Sequence, residues 1–162
     1  MNTRYLYIKQ NRAAALILAV LFLHFGGDVL GAEAKVEPLK PGDFTPDGIF
    51  CTFFLPKPAP GKIQKVAERD YSNDTLVVRV DGEVQRLSLK SEAWTPTRPD
   101  ELYRSTKIGD QCEQVWANSD TRVVLTYRVV KCDYEYFGFA GQMLVESKGL
   151  TRTIQVEGET GS

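Results

Sequence analysis

Histidine is nearly missing from this sequence: the one in 162 residues, His24, sits inside an apolar run near the start. The leader argued below carries that run, so the remainder has no histidine at all. This excludes Ser-His-Asp and Cys-His nucleophiles, histidine-ligated zinc and imidazole acid–base chemistry together. Carboxylates, Lys, Tyr and Cys are the reactive groups left. Cysteine is sparse too, and Cys51, Cys112 and Cys132 include no C-x-x-C pair. Their spacing fits no zinc pattern, so neither a metal nor a cofactor is expected. No basic run occurs, which leaves no electrostatic footprint for nucleic acid or anionic lipid. Beyond residue 34 nothing reads as a helix of more than two turns, and there is no internal repeat.

What is present begins with a leader. Arg4, Lys9 and Arg12 precede an uncharged apolar run from Ala13 to Phe25, followed by Gly26-Gly27-Asp28 and then Ala32-Glu33-Ala34. A positive start, a short apolar run and an A-x-A site are the parts of a secretory signal. A spanning helix needs about 20 apolar residues, and the glycines and Asp28 interrupt this run early. Residues 1–34 are therefore expected to be a cleaved signal peptide, cut after Ala34 with Ala32 as second choice. The address is periplasmic or secreted, with no membrane association after cleavage. The mature part carries 17 basic and 19 acidic residues, a formal charge of −2. Its 128 residues suffice for one domain with a core.

Residues 35–46 hold Pro38, Pro41 and Pro46 and read as an extended N-terminal arm, with the folded domain over 47–162. Gly48 to Leu55 is a β-branched and aromatic run, hence a strand. Asp81-Gly82 between Thr75–Val80 and Glu83–Lys90 is a strong hairpin signal, because a type I′ turn needs φ > 0 at both central residues. It puts Leu76, Val78 and Val80 on one face with Leu87 and Leu89, and Arg79, Arg86 and Lys90 on the other. Further hairpins are expected around Asn118–Thr121 and Ser147-Lys148-Gly149. Lys62–Glu68 and Leu102–Ile108 are weaker strand candidates. Short strands joined by tight turns predict an all-β domain, a small antiparallel β-barrel or sandwich of about 7–9 strands.

Three clusters compete as sites. Tyr134, Tyr136, Phe137 and Phe139 are read as core, since buried aromatics are the commoner case. Asp70 and Asp74 are read as a solvated turn, and Asn73-Asp74-Thr75 fits the glycosylation sequon. The segment 91–101 reads as a polar loop; Trp94, Arg98 and the following Tyr103 are the binding candidates, because Trp and Arg are favoured hot-spot types and Pro96 and Pro99 stiffen it, with a Trp94 folded back over the barrel mouth as the equal alternative.

Phe50-Cys51, Val78 to Leu87, Tyr103 and Cys132 together resemble the small periplasmic inhibitors of c-type lysozyme, the MliC-like barrels. The resemblance implies an eight-stranded antiparallel barrel with an early-to-late disulfide and an inhibitory loop. That family's loop carries Ser-Gly before its Tyr; here the stretch is Arg98-Pro99-Asp100-Glu101-Leu102-Tyr103, so no inhibitory residue carries over. The 118–121 turn sets Cys112 opposite about Tyr127, too far from Cys132 for a bridge. Cys51 is expected to be one disulfide partner, with Cys132 as the other and Cys112 as the alternative. The functional expectation is a non-enzymatic binding or inhibitory module acting on another envelope or secreted protein. A histidine-free carboxylate-based hydrolase and a structural envelope protein are the alternatives.

Overall fold

Turn dipeptides between alternating apolar stretches produce nine strands and, among the described residues, no helix. The computed structural model describes residues 32–45, 48–56, 64–95, 106–133 and 136–161. The leader before Ala32, and Arg98 and Tyr103 of the site candidates, lie outside them. The strands are β1 (Val36–Glu37), β2 (Phe50–Phe54), β3 (Lys65–Asp70), β4 (Thr75–Val80), β5 (Glu83–Thr95), β6 (Gln111–Ala117), β7 (Thr121–Cys132), β8 (Phe137–Ser147) and β9 (Leu150–Gly161).

All pairings are antiparallel, and their order closes on itself. β4, β3, β2, β9, β8, β7, β6 and β5 follow one another, and β5 pairs back onto β4. The domain is an eight-stranded closed barrel, with β1 as an extra strand on β4. Closure removes the unpaired edges that a small sheet would otherwise expose.

The turns are those the sequence advertises. Asp81 and Gly82 have φ of 50° and 83°, and Lys148 and Gly149 have 50° and 78°, so both hairpins turn through two left-handed residues. Leu76 registers with Leu87, and Leu76, Val78, Val80 and Leu87 all face the core. At Gly141 even a methyl group would fall 2.6 Å from the Tyr127 Cα, so β8 crosses β7 at a point only glycine fits.

Two register shifts decide what the barrel contains. In β5, Leu89 registers with Trp116 but Ser91 registers with Val115, leaving Lys90 as a bulge. The extra residue inverts the alternation, so Glu92 and Trp94 face inward instead of Ser91 and Ala93. In β7 a bulge at Val130 likewise turns Cys132 toward the core and leaves Val130 outside.

The expected arm is a docked segment. Val36 and Glu37 register with Val80 and Arg79 of β4. The Asp43 carboxylate accepts hydrogen bonds from Arg79 Nε at 2.9 Å, Arg79 Nη2 at 2.6 Å and the Lys40 N–H at 2.7 Å. Arg79 is thus on the outer face, as its alternation predicts, yet buried beneath the arm. The Arg79 hydrogen bonds, then that from Lys40, hold the Asp43 carboxyl below its ordinary value. A carboxyl depressed in the folded state stabilises fully above its unfolded pKa, about 3.9, and loses that contribution as pH falls through the lower folded value. Acidification below about pH 4 is therefore expected to loosen the arm. Amide-exchange protection at Leu39 and Lys40, measured against pH, checks it; protection unchanged down to pH 2 would contradict the clasp.

Candidate functional site

The barrel interior changes character along its axis. Toward the end closed by the hairpins at Asp81-Gly82, Asn118–Thr121 and Lys148-Gly149 it is apolar, with Val78, Val80, Val123, Met143 and Val145. At the other end lie the β3–β4 turn, the end of β5 with the start of β6, and the end of β7 with the start of β8. There the inward positions carry Cys51, Arg69, Glu92, Trp94, Cys112 and Tyr127, a polar and aromatic set.

Glu92 is the hub. Its Oε1 accepts from Arg69 Nη1 at 3.2 Å, Trp94 Nε1 at 3.1 Å and Gln114 Nε2 at 3.0 Å, while Oε2 accepts from Arg69 Nη2 at 3.3 Å. Gln114, fully buried, also donates to Tyr127 OH at 2.8 Å and accepts from Trp116 Nε1 at 3.2 Å. The Arg69 guanidinium carbon lies 4.1 Å from the Tyr71 ring centroid and 5.1 Å from that of Trp116. A planar, weakly hydrated guanidinium suits both the fork with a carboxylate and contact with aromatic faces.

The electrostatics follow from this packing. Burial alone would raise the Glu92 carboxyl, but the Arg69 hydrogen bonds and charge, with the N–H groups of Gln114 and Trp94, outweigh it and hold the group below its ordinary value. Burial pushes the Cys112 thiol up to about 11 and drives Cys51, Tyr71 and Tyr127 upward as well. At neutral pH the thiols and phenols are protonated, and the carboxylate is ionised. A thiol is nucleophilic as thiolate, and a catalytic carboxylic acid needs a raised pKa. Neither condition holds here. The arrangement can brace the barrel end and orient Trp94; it is poorly poised for proton transfer.

The sequence candidates fall differently. Trp94 lies within β5, which runs to Thr95, so the polar loop expected to start at residue 91 is strand for its first half. Its half-buried ring meets Tyr127 edge-on at 6.1 Å. Phe139 is core, 4.8 Å from the Tyr127 ring, and Phe137 packs against it. Tyr136 donates to Glu159 Oε2 at 2.6 Å, and Tyr134 lies outside the described residues. Asp70 serves its turn, accepting from the Ser72 N–H and from Asn73 Nδ2. Arg69, Glu92 and Gln114 were not candidates from sequence. The available signal was Gln114 at the position alternating with Cys112 and Trp116; Arg69, flanked by Glu68 and Asp70, carried none.

The expected disulfide does not form: Cys51, Cys112 and Cys132 are all free. Cys51 registers with Thr160, Phe137 donates its N–H to Thr160 Oγ1, and Phe137 registers with Cys132. Three strand spacings, roughly 14 Å of barrel wall, therefore separate Cys51 from Cys132, against about 5.5 Å for a bridge. Cys132 instead donates its thiol to the Thr106 carbonyl at 3.3 Å. Cys112, the alternative partner, is four strands from Cys51 in either direction around the ring. It registers with Tyr127, as the 118–121 turn predicts, which keeps it from Cys132.

Compared with family models, with curated proteins and with solved structures, the chain matches none, and its functional reading rests on the geometry above.

Proposed function

We propose that the chain is an exported, non-catalytic binding or inhibitory module whose partner is another envelope or secreted protein. The observation that carries this reading is the distribution of exposed apolar side chains. Among the described residues the exposed large hydrophobics are Ile49, Ile108 and Val130. Ile49 precedes β2, and its carbonyl accepts from the Tyr71 N–H. Ile108 lies in the turn before β6, where the Gly109 N–H donates to the Val129 carbonyl beside Val130. Ile108 and Val130 adjoin at the end braced by Glu92, and Ile49 stands at the same end three strands around the ring. Single exposed hydrophobics are ordinary; the adjoining pair at the end that carries the polar cluster suits protein recognition. The saturated, ionised Glu92 supports the binding reading over a carboxylate-based hydrolase.

The test is affinity capture from the native envelope or secreted fraction, followed by measurement of Kd for the captured partner. Ile108→Asp places a charge on the rim without touching the core. It is expected to weaken binding at least tenfold while stability stays within about 0.5 kcal/mol. Unchanged affinity in Ile108→Asp and in Val130→Asp would remove the rim from the interface.

A further inference from the structure

The two candidate cut sites in Ala32-Glu33-Ala34 differ in what they leave at the start of β1. The Lys35 backbone nitrogen donates to Asp81 Oδ1 at 2.9 Å, and the Asp81 N–H donates back to the Lys35 carbonyl at 2.9 Å. Lys35 is thus stitched on both sides to the β4–β5 turn, one residue before Val36 registers with Val80. We propose that cleavage after Ala34 turns this contact into an ion pair that fixes the new N-terminus to the barrel. The inference rests on the signal-peptide reading and is independent of the binding reading.

The step is hydrolysis of the Ala34–Lys35 peptide bond by a signal-type peptidase and water. Ala34 leaves with the new carboxylate, and Lys35 keeps the nitrogen as an amine. An α-amine has a pKa near 8 and is an ammonium at neutral pH. Its nitrogen already stands at hydrogen-bond distance from a carboxylate, so docking the charge requires no rearrangement of the turn. Asp81 occupies the left-handed region, which Asp and Asn tolerate.

The rival cut, after Ala32, would keep Glu33 on Arg152 and Ala34 in the core. The Glu33–Arg152 pair is about half exposed on both sides, and such pairs contribute little. Ala34 offers one methyl group. That cut also puts Leu30 where a small side chain is preferred, whereas the cut after Ala34 puts Ala32 there.

The experiment uses the exported protein, wild type and Asp81→Asn. N-terminal sequencing is expected to read Lys35-Val36-Glu37. After reductive ¹³C-methylation, NMR titration should give an α-amine pKa about half a unit to one unit higher in wild type than in Asp81→Asn. A Glu33 N-terminus, or equal pKa values in the two proteins, would overturn the ion pair. Retention of Met1 or Asn2 would overturn it together with the signal-peptide reading, while rim variants that still lose their partner would leave the binding reading standing.

Discussion

Glu92→Leu is expected to lower the stability of the barrel by about 1–3 kcal/mol, measured by urea denaturation. The substitution leaves the buried Arg69 guanidinium with Asp74, exposed and 3.6 Å from Nη2, as its remaining charge of opposite sign. It also removes the acceptor of Trp94 and Gln114. Arg69 is buried while Glu92 reaches solvent, and removing the partner of a buried charge is costlier than replacing both, because the stranded charge keeps its desolvation penalty. Arg69→Met in the Glu92→Leu background should therefore recover part of the loss. Arg69 Nε already has no acceptor in the native barrel, so removing the guanidinium also relieves an unsatisfied donor. A loss below about 1 kcal/mol for Glu92→Leu would mean that the end is braced by its aromatic rings alone. Failure of Arg69→Met to recover anything would mean that Arg69 acts through the Tyr71 and Trp116 rings rather than through charge.

The second large effect is expected at Trp116. Its ring is fully buried, contacts the Arg69 guanidinium and donates to Gln114. Trp116→Ala should cost about 3–5 kcal/mol, the range for large aromatic truncations in a packed core. Trp116→Phe separates the contributions. It keeps most of the apolar volume but leaves Gln114 Oε1 without its donor, a cost of about 1–3 kcal/mol. Thermal unfolding of both variants, with Val123→Ala as a purely aliphatic reference on the neighbouring strand, checks the ordering. If the Ala and Phe variants melted together, the hydrogen bond rather than the ring would carry the residue's contribution.

The two predictions concern residues whose importance was unequally visible in the sequence. Trp116 belongs to the alternating stretch Cys112, Gln114, Trp116, and its inward orientation follows from period two once the strand is recognised. Glu92 does not follow that way. Read from Leu87 and Leu89, strict alternation sends Ser91 and Ala93 inward and Glu92 to solvent. The bulge at Lys90 reverses this, and no residue type near position 90 announces it. Arg69 had the same fate: a charged residue beside Glu68 and Asp70 looks like surface until barrel closure brings Glu92 to it. Trp94, read as lying on a loop, lies instead in a strand with its indole donating to Glu92.

The sequence by itself determined the elements that depend on neighbours in the chain. The β4–β5 turn follows from Asp81-Gly82, because a two-residue turn with positive φ at both positions is a local steric requirement. The position of Cys112 opposite Tyr127 follows from the length of the 118–121 turn, and the shared inward face of Leu76 and Leu87 follows from alternation. Tertiary structure alone decided what depends on which strands meet. Ring closure set Cys51 three strands from Cys132 and left both as thiols. Docking of the arm turned Arg79 from a solvent-facing residue into the anchor for Asp43, and ring closure assembled Arg69, Glu92 and Gln114 from three strands. The physical reason is that a bulge costs little locally yet inverts every side chain after it. The inside of a closed barrel is therefore fixed by the sum of such shifts around the ring, which no single stretch of sequence contains.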